Sequence, residues 1–470
     1  MVTPRRVALF ASALLTLVAL FFLRPVPTPG PPMRDFEAYY AAGKTWALGG
    51  NPYSREVWRT ERTIPGVVAT RDELLPFVGP PFSLPLWAAL AALPFRTAVL
   101  LWGAVLTLAA GAVAFGSLHL GRGKDAASYA GAALLAVSFG PLTSAVALGQ
   151  AALVACAGVV LTAVALRAGR ARSAIAAALA AALQPNVGIA LVARLTSLRA
   201  WFAIGVAAAI ALAASVAAVG GLAGFDAYLA ALARHADAER SILIQTTLAS
   251  VAFGFGASQL AAREIGVAVA AIVIGITAWI LRERGFAPES RVAVACAVLP
   301  LVLPFSHEHD LAVTFLPAVL CLRRARRALW IAAACATVVV AVDWLGLAQR
   351  PTGVAQSAVL ALSAGLAATA LSRGRLFPGA LAPLAVAATV ALAGPAIAQH
   401  AVHVWPDALG ATFSAPQTLD AAGVWQLEQE RSGLAAPAAL PAALRMCSLA
   451  GCAALWATSL AALRKPEDAA

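Results

Sequence analysis

The stretch TAVLLWGAVLTLAAGAVAFGSL, residues 97–118, contains no charged side chain. As an α-helix it would be about 33 Å long, enough to cross the hydrocarbon core of a bilayer. Similar segments recur along the whole chain. With it they form a set of twelve predicted spans, whose other members are 7–24, 127–141, 147–166, 200–222, 263–281, 291–305, 309–322, 328–347, 353–371, 379–399 and 441–463.

The composition agrees with repeated membrane crossing. Of the 470 residues, 61% are hydrophobic and 12% are charged, and the mean hydropathy is +0.82. Soluble domains carry about 25% charged residues. A transmembrane barrel would show short segments of alternating hydrophobicity, whereas these runs are continuous Ala, Leu and Val. We therefore predict an all-α polytopic membrane protein that forms a single membrane domain over residues 1–470.

The basic residues indicate topology rather than nucleic-acid binding. The formal net charge is +12, but Lys and Arg occur in short clusters between apolar segments, as the positive-inside rule predicts for cytoplasmic loops. The N-terminal MVTPRRVALFASALLTLVALFFLRPVPTPG lacks an A-x-A cleavage site, which predicts a retained first span with its N-terminus inside. The six cysteines lie in apolar segments without a C-x-x-C pattern, so we expect no metal site among them.

Two apolar segments leave the topology open. Residues 81–94 contain three prolines, and residues 173–193 are interrupted by Gln184-Pro185-Asn186. If both segments cross fully, the basic residues of 122–124 and 167–172 fall outside. If both are re-entrant or half-spanning, those residues lie inside together with the arginines of 194–199, 282–284, 323–327 and 373–375, and twelve spans have both termini inside. The second topology satisfies the positive-inside rule, and irregular backbone at membrane depth requires a cavity or surrounding protein.

This topology assigns several polar segments to the outer face. The first outer loop, 25–80, contains a predicted amphipathic helix, and further outer loops are 223–262 and 400–440. Shorter outer pieces are 140–150 and 305–310, while 173–193 is predicted to be a broken helical hairpin. The inner loops are short, and no Walker-type G-x-x-x-x-G-K occurs. The protein is therefore expected to act at its outer face without ATP.

The stretch RDFEAYYAAGKTWALGGNPY, residues 34–53, is the first strongly polar segment. Its apolar residues repeat at helical spacing, and Gly49-Gly50 ends the pattern, which predicts a helix lying on the bilayer surface. Asp35 is either a helix N-cap or a general base beside a cavity. Glu37 and Lys44 are too far apart to be helical neighbours, so a solvated face is their simplest interpretation.

The stretch PFSHEHDLAVTFLP, residues 304–317, places four ionisable groups between two short apolar segments. Such groups are costly unless they face solvent or a polar pocket. Three interpretations remain open: an exposed turn, a metal site built on His307 and His309, and a catalytic or phosphate-binding site. Gln150 and Gln184 are either structural or ligand-binding. Arg240 either forms exposed ion pairs with its neighbours or binds a phosphate bidentately.

Several of these segments together resemble glycosyltransferase family 87, whose members are membrane enzymes of the GT-C architecture. The resemblance covers about residues 7–330. Its motifs, in family order, are DFEAYYAAGKTWALGGNPY (35–53), PPFSLPLWAALAALPF (80–95), LGQAALVACAGVVL (148–161), AALQPNVGIAL (181–191) and PFSHEHDLAVTFLPAVL (304–320).

The resemblance implies transfer of a sugar, mannose or a pentofuranose, from a polyprenyl-phosphate donor to a lipid or glycan acceptor outside the cytoplasm, with inversion. It implies a multi-pass protein of the plasma membrane, surrounded by membrane lipids. The reaction needs one base and one group that stabilises the phosphate, so it requires no cofactor or metal, and the clustered basic residues predict no nucleic-acid partner. Asp35 corresponds to the presumed base, and His307 or His309 to the outer histidine. The residues that we predict to bind substrate are Glu37, Tyr39, Tyr40, Lys44, Asn51, Tyr53, Gln150, Gln184 and Arg240.

Two departures from the family pattern affect these predictions. Gln184 stands where the family has a lysine before the broken proline, and Ser306 stands where an aromatic residue often precedes the histidine. The alternative functions are a secondary transporter, favoured by the broken helix at Gln184-Pro185, and a lipid-linked saccharide flippase or structural partner.

Overall fold

The computed structural model describes residues 4–24, 30–239, 241–283, 285–349, 353–372, 381–400 and 405–464. Within these ranges every regular element is helical, which confirms the predicted all-α class. The α-helices are α1 (Pro4–Phe22), α2 (Arg34–Ala47), α3 (Trp58–Glu61), α4 (Leu84–Ala91), α5 (Phe95–Leu120), α6 (Ala126–Ser138), α7 (Gly140–Leu148), α8 (Ala152–Arg167), α9 (Ala171–Ala181), α10 (Pro185–Gly188), α11 (Leu198–Ala218), α12 (Leu222–Glu239), α13 (Leu248–Gly254), α14 (Gln259–Glu283), α15 (Pro288–Val302), α16 (Phe315–Arg324), α17 (Arg327–Ala341), α18 (Trp344–Gln349), α19 (Val354–Leu371), α20 (Leu381–Gln399), α21 (Ala421–Arg431) and α22 (Ala439–Ala462). Short 3₁₀ helices occur at Arg55–Val57, Pro81–Ser83, Ile189–Arg194, Glu308–Thr314 and Asp407–Leu409.

Several helices are long and apolar enough to cross a membrane. The described residues contain seven of them, or up to eight if α6 and α7, bent by 60° at Phe139, form one span. The predicted number of twelve is compatible with this architecture but is not confirmed by it. The predicted span 309–322 is divided into the 3₁₀ helix Glu308–Thr314 and the ten-residue α16. At about 1.5 Å per residue, α16 alone reaches only about half the hydrocarbon thickness.

The two ambiguous segments are short or broken. Residues 81–94 form one 3₁₀ turn and the eight-residue α4, with Pro81 and Pro85 near the helix starts where proline is tolerated. In 173–193, α9 ends at Ala181, Gln184 is extended, and Pro185 begins the four-residue α10. Proline at this position removes a donor from the helical ladder, which explains the interruption.

Helix α5 separates two ends of the bundle. At its first residue, Phe95 packs against Phe36 and Tyr40 of α2. At its last residue, the carbonyl oxygen of Leu120 accepts hydrogen bonds from Arg167 and Arg324. The 26 residues of α5 place these ends about 39 Å apart. The arginines therefore lie together, opposite α2, which agrees with the second topology.

The expected outer segments fold together at the α2 end. A small apolar core joins Ala41, Val57, Trp58 and Leu74 to Ala415 and Val424. Hydrogen bonds from two backbone N–H groups add to this contact: Asp72 N donates to the Phe413 carbonyl oxygen at 2.9 Å, and Leu74 N donates to the Glu428 side chain at Oε1 at 2.7 Å. We call residues 30–80, 222–239 and 405–438 the polar cap. The segments expected as separate loops thus form one layer over the bundle.

Candidate active site

Helix α2 forms as predicted but is covered by protein. Nine of its fourteen residues are buried, including Glu37, which is 1% exposed and lies 3.1 Å from Arg34. The solvated-face interpretation of Glu37 is therefore wrong, and the helix does not have the exposed polar face expected of one resting on a bilayer. Met33 occupies the N-cap position without a side-chain hydrogen bond. Asp35 lies inside the helix, so the N-cap interpretation is also wrong.

A close helix crossing sets the position of α2. A Cβ atom on Gly43 would lie 2.2 Å from the backbone carbon of Trp87 in α4, so only glycine permits this approach. The Tyr39 ring stacks on the Trp87 indole with centroids 4.6 Å apart. The Ala-Gly step in the sequence therefore lets α2 pack on α4, and the packing directs Asp35 and Tyr39 to the same side.

Gln150 joins Asp35 and Tyr39 in a hydrogen-bond chain. The Gln150 amide Nε2 donates to Asp35 Oδ2 at 2.5 Å, and the Tyr39 hydroxyl donates to Gln150 Oε1 at 2.8 Å. Gly149 precedes Gln150 with φ of 81°, and its carbonyl oxygen accepts from the Trp102 indole. No described residue donates to Asp35 Oδ1. The chain thus fixes the carboxylate and leaves one oxygen available.

The His307 segment approaches from another part of the chain. His307 precedes the 3₁₀ helix Glu308–Thr314, and its backbone N–H donates to Asp310 Oδ2 at 2.9 Å. His309 is 6% exposed and its ring stacks on that of His307 at 5.3 Å. Because Glu308, His309 and Asp310 are all buried, the exposed-turn interpretation is wrong.

Glu239 at the end of α12 connects this segment to the polar cap. Its Oε2 lies 3.4 Å from His307 Nε2 and accepts from Gln245 Nε2 at 2.6 Å. Its Oε1 lies 3.3 Å from His235 Nε2 and accepts from the Trp425 indole at 2.6 Å. Gln245 and Trp425 therefore hold the buried Glu239 carboxylate between His307 and His235.

The electrostatics distinguish the acidic and basic groups. Burial raises the pKa of Asp35, although the Gln150 hydrogen bond and the charges of His307 and Arg34 oppose the rise. Burial alone would lower the pKa of His307, but the hydrogen bond and charge of Glu239 outweigh it and raise that pKa. Burial and the neighbouring His307 lower the pKa of His309. His307 is thus the favoured cation of the pair.

One cavity of about 320 Å³ brings most of these groups together. The predicted site residues in its wall are Asp35, Tyr39, Gln150, Gln184, His307 and His309. Other predicted residues lie elsewhere. Tyr40 donates to the Leu93 carbonyl oxygen, Glu37 pairs with Arg34, and Lys44 lies near the other end of α2. Asn51 and Tyr53 line a neighbouring cavity. Arg240 lies outside the described residues.

The cavity wall also contains functional groups that we did not predict as site residues. They include Arg34, His235, Glu239, Trp405 and Trp425. The sequence gives little indication that these residues belong to a site. For example, the segment around His235 and Glu239 has the composition of an exposed loop. The only periodic clue is the spacing of Tyr228, His235 and Glu239, the buried face of α12.

Metal-ligand geometry was a second interpretation of the His-x-His pattern. In the part of the chain that the structure describes, no group of three or more His, Cys, Asp and Glu side chains is arranged to hold a metal ion. The histidines instead interact with Glu239 and with each other.

Comparison with known proteins adds an independent finding. No curated protein and no solved structure shows a significant match to the chain. Residues 77–304 do match the family model of glycosyltransferase family 87. This range covers the α4 crossing, Gln150, the broken segment and Glu239. The match covers just under half of the chain and supports its assignment to glycosyltransferase family 87, a family of membrane glycosyltransferases.

Proposed function

We propose that this protein transfers a sugar from a polyprenyl-phosphate donor to a hydroxyl group of a lipid or glycan acceptor, with Asp35 as the general base. The observation that supports this most strongly is the placement of Asp35 and His307 in the wall of one cavity. Mannose and a pentofuranose are the sugars that the family resemblance favours.

Asp35 has the properties that this role needs. A general base works best when its pKa lies near the working pH, and burial moves the pKa of Asp35 in that direction. Gln150 occupies Oδ2, so Oδ1 can accept the proton of the acceptor hydroxyl. The hydroxyl oxygen then bonds to C1 of the sugar, and the C1–O bond to phosphate breaks. The electron pair leaves with the polyprenyl phosphate, and C1 is inverted.

His307 is suited to the leaving group. As the phosphate departs, negative charge develops on its oxygens, and a fixed cation stabilises that charge. Glu239 favours the protonated form of His307. The Arg34 guanidinium lies in the same cavity wall, where it can supply a second positive charge. No cofactor is part of the proposed reaction.

The ends of the bundle support an extracytoplasmic site. The arginines that contact Leu120 lie about 39 Å from the α2 end, and positive clusters favour the cytoplasmic side. We therefore propose that the polar cap and the cavity face away from the cytoplasm. The donor lipid chain would stay in the bilayer while its head group enters the cavity.

The test is product formation by the purified full chain in lipid nanodiscs. The protein is incubated with polyprenyl phosphates carrying labelled mannose, glucose, galactose or arabinofuranose, together with a membrane lipid extract. We expect a labelled product that is more polar than its acceptor from at least one donor. Folded protein that yields no product from any donor would contradict the proposal.

A further inference from the structure

A second cavity, also of about 320 Å³, lies beside the main cavity within the polar cap. Its walls come from the 51–56 loop, residues 76–78, helix α12 and the start of α21. His235 belongs to the walls of both cavities. Because His235 also contacts Glu239, a ligand in the second cavity would end beside the charged groups of the main one.

Aromatic rings form one side of the second cavity. The centroid of the Tyr53 ring is 4.9 Å from that of Tyr228 and 5.4 Å from that of Phe77. The Tyr53 hydroxyl donates to the Gly79 carbonyl oxygen at 3.0 Å, which fixes the ring. Aromatic faces carry partial negative charge and attract the polarised C–H groups of a sugar ring.

Polar groups of balanced charge form another part of the cavity wall. Arg234 Nε lies 2.8 Å from Asp420 Oδ2, and Arg55 and Glu56 add one further charge of each sign. A wall with two cations and two carboxylates does not select an anion such as a phosphate. It suits a neutral ligand that both donates and accepts hydrogen bonds.

Two polar atoms in this wall lack hydrogen-bond partners among the described residues. One is Nδ1 of His235, a residue that is 6% exposed. The other is Nη2 of Arg55, whose Nη1 donates hydrogen bonds to two carbonyl oxygens. A buried polar atom without a hydrogen-bond partner destabilises the protein, so a ligand that supplies a partner is favoured. The hydroxyl groups of a ligand can form hydrogen bonds with both atoms, because a hydroxyl both donates and accepts.

We propose that the second cavity binds the saccharide part of the acceptor, with a sugar ring stacked on Tyr53 and Tyr228. Its hydroxyls bond to His235, Arg55 and the Arg234–Asp420 pair. The ligand's status as an acceptor rests on the proposed transferase function. The shared wall at His235 then directs the reacting hydroxyl of the acceptor toward the main cavity.

The test measures saccharide binding without any reaction. Saturation-transfer NMR is recorded for the full chain in nanodiscs with methyl glycosides of mannose, glucose, galactose and arabinofuranose, and with methyl α-mannobioside. We expect at least one probe to bind, and Tyr228→Ala to weaken its binding by about tenfold. Tyr228→Phe keeps the ring and should bind within about twofold of the parent. Tyr129→Ala, on α6 away from the cap, is the matched control.

A second variant guards against a folding defect. Arg234→Gln changes a half-exposed side chain and should also weaken the probe, at an unchanged thermal unfolding temperature. The inference would be overturned if no probe binds the folded protein. It would also be overturned if Tyr228→Ala and Arg234→Gln both leave probe binding unchanged. Asp35→Asn should bind the probe normally while losing transfer. Retained transfer in that variant would reject the proposed base but leave the saccharide site standing.

Discussion

The proposed role of Asp35 as a general base depends on the different surroundings of its two oxygens. Gln150 donates to Oδ2, and no described residue donates to Oδ1. Tyr39 in turn donates to Gln150, so the amide is held with its NH₂ group toward Asp35. The chain orients the carboxylate and, by stabilising its charged form, limits the rise of its pKa.

Replacing Gln150 tests this orientation. Gln150→Ala removes a hydrogen bond that favours the ionised form, so the pKa of Asp35 should rise further. Activity is lost as pH falls through that pKa, and the acidic limb of the pH–rate profile should therefore move to higher pH. Gln184→Ala, in the same cavity wall, is the control and should leave this limb in place. An unshifted limb in Gln150→Ala would contradict the assignment.

Replacing Glu239 tests the opposite limb. The hydrogen bond and charge of Glu239 raise the pKa of His307, and Glu239→Gln removes the charge. If protonated His307 offsets phosphate charge, activity is lost as pH rises through its pKa. The basic limb of the profile should then move to lower pH in Glu239→Gln. Asp237→Asn, on the same helix, serves as the control, and equal basic limbs in all three proteins would exclude this role.

Six of the predicted site residues line the main cavity, but the contacts that join them were not predictable from the sequence. The sequence allowed us to predict Asp35, Gln150 and His307. Polar groups next to apolar spans are costly unless they face a polar pocket, so their presence there indicates a functional site. Glu239 was not predicted as a site residue, because its segment has the charge density of an exposed loop. The burial of Glu239 depends on hydrogen bonds from two residues. Trp425 is distant in sequence, and Gln245 follows Glu239 in an irregular segment.

At the scale of elements, the crossing of α2 and α4 supports the site. Gly43 lets the two backbones approach, and the resulting contact stacks Tyr39 on Trp87. Aromatic residues on the neighbouring turn, Phe36 and Tyr40, pack on Phe95 of α5. Asp35 is therefore carried by a helix that is held on two sides.

A substitution at Gly43 should loosen this crossing. In Gly43→Ala the new Cβ would meet Trp87 backbone at 2.2 Å, and the helices must separate. Overpacking of this kind costs about 1–3 kcal/mol, which should lower the thermal unfolding temperature in detergent. Gly205→Ala in α11 is the matched control, since its Cβ would meet no atom within 4 Å. Equal unfolding temperatures for the two variants would contradict the predicted constraint.

Helix ends and helix positions were predictable where nearby residues in the sequence determine them. Proline accounts for the short α4 and the break before α10, and the apolar period of 34–53 accounts for α2. The surroundings of α2 were not predictable, because a membrane and a protein surface select the same amphipathic pattern. The division of 309–322 was also missed, since apolar residues continue across the junction at Phe315.

At the scale of the whole molecule, the two ends of the bundle differ. The polar cap lies at one end, and Arg167 and Arg324 contact Leu120 at the other. The second cavity lies within the cap, and the main cavity lies between the cap and the bundle. Helix α5 separates this end by about 39 Å from the end where Arg167 and Arg324 contact Leu120. This polarity matches a reaction that takes place on one side of the membrane with a lipid-linked donor.

Cysteine labelling in intact cells tests that direction. Arg59 lies exposed in the polar cap, and Arg170 lies exposed between α8 and α9 at the other end. Arg59→Cys should react with a membrane-impermeant maleimide added outside, whereas Arg170→Cys should react only after the cells are opened. Labelling of the parent protein, which retains its six cysteines, gives the background. The reverse pattern would place the cavity on the cytoplasmic side.

The most direct test of the account is a single-turnover comparison of the parent protein with Asp35→Asn. Both are loaded with the labelled polyprenyl-phosphate sugar that the parent uses, and product is followed after addition of acceptor. Loss of a general base should slow transfer by about 10²–10⁴-fold while donor affinity stays within about twofold. Asp226→Asn, exposed on α12, should transfer at the parent rate. Transfer by Asp35→Asn at the parent rate would contradict the central claim.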